Sequence, residues 1–190
     1  MRMEQENPNV FVPQQFSNLA NPAVHRYHTA LEILEQVGEP IHGFCSGVGT
    51  GGTITGIGEV LKAQNPDITI WAVEPENAAI LAGGNVGTHL QMGIGDGLIP
   101  EILNREIYSD ICIISDEEAI QTAKDLARLE GLMCGISSGT NVAAAKKLAK
   151  KLGKGKTVVT VLPDTCLLYT SYPRYVGNHL LYRRHWNCRN

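Results

Sequence analysis

Between residues 43 and 62 the sequence runs GFCSGVGTGGTITGIGEVLK, and this stretch constrains the fold more than any other. An apolar start leads into Gly47-Val48-Gly49-Thr50-Gly51-Gly52-Thr53. Ile54, Ile57, Val60 and Leu61 then recur at helical spacing. The pattern predicts a strand over 41–45 and a helix over about 52–63. Glycines between them let successive backbone N–H groups turn toward one point and let an anion approach closely. The helix N-terminus adds unsatisfied donors and a partial positive charge. Thr50 and Thr53 add hydroxyls. The expected ligand of Gly49, Thr50, Gly51, Gly52 and Thr53 is a compact dianion such as a phosphate monoester.

Two other readings compete. Gly47, Gly49 and Gly52 also satisfy G-x-G-x-x-G, and Glu74 stands 22 residues after Gly52. An acid there is where a dinucleotide's ribose is held, so an NAD(P)-binding oxidoreductase is an alternative. The paired threonines suit a terminal phosphate better than a pyrophosphate. The third reading is a tight strand-to-helix turn that binds nothing.

The rest of the sequence alternates in the same way. Helices are expected over 23–37 and 137–152, and strands over 68–73, 111–114 and 157–162. Residues 74–100 read as long, glycine-rich and irregular. Ser115 and Glu118 form an S-x-x-E capping box at the start of a further helix, which Gly131 ends. TVVTVL at 157–162 is almost wholly apolar, as in a sheet buried on both faces. Strands alternating with helices predict an α/β three-layer sandwich with a mostly parallel sheet.

Charge divides the chain in two. All 19 acidic residues precede residue 166, whereas the last 25 residues carry four arginines and no acid. Residues 1–165 therefore read as one domain, and 166–190 as a tail of different origin, artefactual or disordered. A net charge of −3 gives no basic surface for nucleic acid. No apolar run approaches membrane-spanning length, and the N-terminus lacks a signal core, so a cytoplasmic protein is expected. Five cysteines without a CxxC pair argue against a disulfide framework or a metal site.

Other positions carry weaker signals. Ser137 and Ser138 read as an N-cap or as hydroxyls donating to a ligand nitrogen. Gly93 to Gly97 (GIGDG) can approach a ligand or simply turn. Gln14 and Gln15 precede a turn, and a glutamine amide there can hold a substrate carboxylate. His25 and His28 share a helix face without a third metal ligand and read as solvated. His42 and His89 have no evident partner. Cys45 and Cys134 read as small buried residues.

Several segments are similar to cysteine synthases (O-acetylserine sulfhydrylases), fold-type II pyridoxal-phosphate enzymes with a tryptophan synthase β-like large domain. They are QQFSNLANPAVHRYHTALEI, GVGTGGTITGIG, WAVEP, QMGIGDGLIPEIL, SDEEAI, GISSGTNVAAA and VVTVLPDT, spanning about Asn7 to Thr165. Cystathionine β-synthase shares most of this pattern. The resemblance implies pyridoxal 5'-phosphate as cofactor and β-replacement on O-acetylserine by sulfide, giving cysteine and acetate. It implies that Gly49, Thr50, Gly51, Gly52 and Thr53 hold the phosphate and that Ser137 bonds the pyridine nitrogen. Gln15 and Gly95 fall on the substrate side.

The same resemblance places the family's Schiff-base lysine upstream of this chain, so no catalytic residue is assigned and the isolated chain is expected to be inactive. The segment after LPDT also departs from the family pattern. A homodimeric parent and the C-terminal peptide of serine acetyltransferase are the implied partners. A non-catalytic domain that binds phosphate or peptide is the remaining alternative.

Overall fold

A computed structural model describes residues 2–163. The expected tail at 166–190 lies outside the described residues. The chain opens with a short helix α1 (Arg2–Glu6) and an extended run. A continuous helical stretch follows: α2 (Ala20–Val24), a π-helical turn (His25–Thr29) and α3 (Ala30–Val37). Its start lies three residues before the predicted position, because Pro22 sits in the first turn, where a missing N–H costs nothing. Gly38 ends it in left-handed backbone at φ +62°.

The remaining elements are β1 (Gly43–Gly47), α4 (Gly52–Gln64), β2 (Thr69–Pro75), β3 (Asp110–Ile114), α5 (Asp116–Glu130), α6 (Ile136–Leu152) and β4 (Val158–Thr160). Strands β1 and β2 end two residues later than the sequence pattern predicts, and β4 is shorter than predicted. The α5 cap forms by half. Ser115 Oγ accepts the Glu118 N–H at 3.2 Å, but the Glu118 carboxylate takes Lys147 Nζ at 2.7 Å. Gly135, not a serine, is the N-cap residue of α6.

The sheet order is β3-β2-β1-β4 and every pairing is parallel. Side chains alternate across it. Phe44, Ile70 and Ala72 join Ile33 of α3 and Ile54, Ile57 and Leu61 of α4 in one core. Cys45, Trp71 and Val73 join Ala143, Ala144 and Leu148 of α6 in the other. Helices on both faces give the expected three layers. No helix among the described residues is long and apolar enough to cross a membrane.

Strand order creates the site. The chain leaves β1 through α4 to β2 on one side, and returns from β3 through α5 and α6 to β4 on the other. Beyond the carboxyl ends of β1 and β4 the connections diverge and a crevice opens. This is where open parallel sheets bind ligands.

Candidate functional site

A hollow of about 360 Å³ lies at that crevice, large enough for a small cofactor. Ser46 and Gly47 at the end of β1 form its floor, and Val161 and Pro163 after β4 form one wall. Gly49, Thr50, Gly51 and Thr53 form the rim at the start of α4, and Gln15 reaches in from the N-terminal segment. Five of the residues expected from sequence therefore meet around one space. Gly52, Gly95 and Ser137 do not line it.

Main-chain groups make this rim a donor surface. Among the described residues, the N–H groups of Gly49, Thr50, Gly51 and Thr53 donate to no protein acceptor, whereas Gly52 N–H donates to Thr50 Oγ1 at 3.3 Å. Asn21 Nδ2 also donates to Thr50 Oγ1, at 3.0 Å, and to the Gln15 carbonyl at 2.9 Å. Both acceptor positions of the Thr50 hydroxyl are filled, so its own proton is what remains to offer a ligand. Gly51 turns the chain at φ +80°, a backbone conformation only glycine adopts readily.

Glycine is required at 49 for a second reason. A Cβ there would lie 2.4 Å from the carbonyl oxygen of Gly93, so two backbone segments touch at this point. The second segment is stapled in place by buried Gln91. Its Nε2 donates to the Ile114 carbonyl and to Asp116 Oδ1, both at 2.9 Å, and its Oε1 accepts from Thr140 Oγ1 at 2.7 Å.

Of the histidines expected to be solvated or unpartnered, His28 is exposed, but the other three have partners. His25 Nδ1 lies 3.1 Å from Thr29 Oγ1 and its Nε2 3.3 Å from Thr53 Oγ1, because the helix carrying it packs on α4. His89 Nδ1 accepts the Gln91 N–H at 3.2 Å, which leaves the proton on Nε2 to donate to the Gly95 carbonyl at 3.2 Å. His42 Nδ1 accepts the Thr157 N–H.

Glu74 is likewise reassigned. Its carboxylate is 4% exposed and accepts the N–H groups of Leu81 at 2.9 Å and Ala82 at 3.1 Å. Burial pushes its pKa up, against the pull of those bonds. Both oxygens are committed to the following loop, so the ribose-binding role considered for it does not stand.

Asn141 was missed by sequence reasoning and holds the floor together. From α6 its Oδ1 accepts the Gly47 N–H at 2.7 Å and its Nδ2 donates to the Val161 carbonyl at 2.8 Å. A lone asparagine in an alanine-rich helix was the available signal. Ser137 lies in the first turn of α6. Its neighbour Ser138 is fully buried and donates to the Pro163 carbonyl at 2.9 Å.

The donor set fits the phosphate of pyridoxal phosphate. Among the described residues four N–H groups lack protein acceptors, the Thr50 hydroxyl can only donate, and glycine at 49 keeps the rim open. No lysine lines the hollow among the described residues.

Comparison with known proteins agrees. The family described as pyridoxal-phosphate dependent enzyme matches residues 1–164. A cysteine synthase of Staphylococcus aureus (strain Mu50) is 48% identical over 171 residues, covering 90% of this chain and 55% of the relative. Cysteine synthase B of Campylobacter jejuni is 48% identical over 164 residues, covering 86% and 54%. Among solved structures, O-acetylserine dependent cystathionine β-synthase from Helicobacter pylori superimposes with a TM-score of 0.83 at 36% identity, covering 92% of this chain and 57% of that one. The chain spans about half the length of the curated relatives it matches. With the family match running over all the described residues, the chain belongs to the pyridoxal-phosphate dependent enzymes.

Proposed function

We propose that this chain is the cofactor-phosphate-holding part of a cysteine synthase-type enzyme, whose reaction is β-replacement on O-acetylserine by sulfide to give cysteine and acetate. The observation that carries this reading is the set of acceptor-free N–H groups at Gly49, Thr50, Gly51 and Thr53, beside a donor-only Thr50 hydroxyl. When bound, pyridoxal phosphate supplies an electron sink for carbanion chemistry at an amino acid's α-carbon.

The residues here do the holding. The Gly49, Thr50, Gly51 and Thr53 amides and the Thr50 hydroxyl bind the phosphate, Gly52 keeps the Thr50 hydroxyl in place, and the α4 dipole favours the phosphate's negative charge. His25 orients the Thr53 hydroxyl. Gln15 offers its amide to the substrate carboxylate, and the loop carrying Gly95 lies on the substrate side. Ser137, in the first turn of α6, is assigned to the pyridine nitrogen. No lysine among the described residues lines the hollow, and none is assigned a catalytic role.

A cystathionine β-synthase-type replacement, with a thiol amino acid as nucleophile, is the second reading. The likeness to the H. pylori structure favours it.

Titration of the chain with pyridoxal phosphate and, separately, with NADH tests the proposal. Saturable pyridoxal phosphate binding that inorganic phosphate displaces is expected, with no NADH binding. NADH binding, or pyridoxal phosphate binding indifferent to phosphate, would overturn it. Borohydride is expected to fix the cofactor on no particular lysine.

A further inference from the structure

Asp96 is the only ionisable side chain among the described residues that line the hollow. It is exposed to solvent. Its Oδ2 lies 3.4 Å from the point that a Cβ on Gly49 would occupy, so the carboxylate stands at the edge of the cradle. The loop that presents it uses three glycines in left-handed backbone: Gly93 at φ +90°, Gly95 at φ +69° and Gly97 at φ +81°. That loop is fastened to the cradle. The Gly95 N–H donates to the Val48 carbonyl at 3.0 Å, and His89 holds the Gly95 carbonyl.

A cradle that served a phosphate alone would gain nothing from a neighbouring carboxylate. Two negative charges a few ångströms apart repel each other, and no basic side chain on the lining offsets this. The same carboxylate attracts an ammonium group. We propose that Asp96 is a specificity-determining residue, which makes the hollow take an ammonium-bearing group beside the phosphoryl group and disfavours a second anion there. The inference rests on the reading of residues 49–53 as a phosphate cradle. For β-replacement it bears on the choice between the two nucleophiles named above: it supports the second reading, a thiol carried on an amino-bearing molecule, over hydrosulfide, which is a small anion.

Two probes separate the charges. O-Phosphoethanolamine and 2-phosphoglycolate are both two-carbon phosphate monoesters, one ending in an ammonium and the other in a carboxylate. Calorimetry on the purified chain compares them, with inorganic phosphate as reference, for the native sequence and for Asp96→Asn. The native chain is expected to bind phosphoethanolamine roughly fivefold to tenfold tighter, less at high salt, because Asp96 is exposed and screened.

Asp96→Asn is expected to bring the ratio most of the way to one and to tighten phosphoglycolate and inorganic phosphate. Circular dichroism checks that the variant folds. If inorganic phosphate binds but Asp96→Asn leaves the ratio unchanged, the role of Asp96 is wrong and the cradle stands. If no probe, inorganic phosphate included, binds either chain, the cradle itself is wrong and the inference falls with it.

Discussion

The imidazole Nε2 of His25 lies 3.3 Å from the hydroxyl oxygen of Thr53, joining the π-helical turn to the first turn of α4. Thr53 lines the hollow, so this contact fixes which way its hydroxyl points. His25→Leu keeps bulk and removes the partner. One hydrogen bond contributes about 1 kcal/mol, so pyridoxal phosphate should bind roughly fivefold more weakly. His25→Gln restores a polar atom and should recover part of that loss. Fluorescence titration of the three chains measures both effects. Equal affinities would show that Thr53 is oriented without His25.

Gly49→Ala should be far more severe than its one carbon suggests. The new Cβ would meet the Gly93 carbonyl oxygen at 2.4 Å, and that atom is backbone, which cannot turn aside as a side chain can. Gln91 and its three partners hold the Gly93 segment from behind. The cradle must open instead. Phosphate affinity is expected to fall at least about tenfold, equivalent to about 1.4 kcal/mol. Calorimetry with inorganic phosphate reads this directly, and retained affinity would mean the two loops separate easily.

Cys45 lies fully buried between the sheet and α6, and burial pushes its thiol up to about 12 from an ordinary 9.0. Between those values the unfolded chain has lost the proton while the folded chain keeps it. The folded state then binds more protons, so stability falls as pH rises across that window and is intact below it. Cys45→Ala removes this dependence. Urea midpoints at pH 8 and pH 10 should therefore differ less for the variant than for the native chain. At pH 8 iodoacetamide should also modify half-exposed Cys134 before Cys45 or Cys112. Early modification of Cys45, located by mass spectrometry, would contradict its burial.

Sequence made the β1–loop–α4 unit legible because everything that defines it is local. Glycines, threonines and the helical spacing all fall within 20 residues. The three-layer sheet followed from alternating patterns for the same reason. What sequence left dark depends on distant contacts. His25 reads as a solvated helix histidine until α4 packs against it across 28 residues. Glu74 fits a ribose-binding position by spacing, yet its carboxylate turns into its own following loop. Ser137 fits an N-cap by residue type, but Gly135 takes that position and the serine moves inside the first turn. Spacing fixes where a residue sits on its element. It does not fix which atoms the side chain reaches.

Asn141 is the clearest case of such a contact, and its removal should be costly. One side chain, 2% exposed, satisfies the N–H of Gly47 and the carbonyl of Val161, residues 94 and 20 positions away. The first ends β1 and the second lies just past β4, the strand beside it, so the bond pair joins the floor of the hollow to its wall. Asn141→Ala leaves both groups without that partner in a part-buried setting, at about 1–2 kcal/mol each, the lower part of the range for a buried group. A total destabilisation of about 2–4 kcal/mol is expected by urea unfolding. Asn141→Asp separates the two roles. Its carboxylate still accepts from Gly47 but now faces the Val161 carbonyl, oxygen against oxygen. It should therefore be no more stable than the alanine variant despite its near-identical shape. Recovery of most of the native stability by aspartate would mean that the Gly47 bond alone holds the floor.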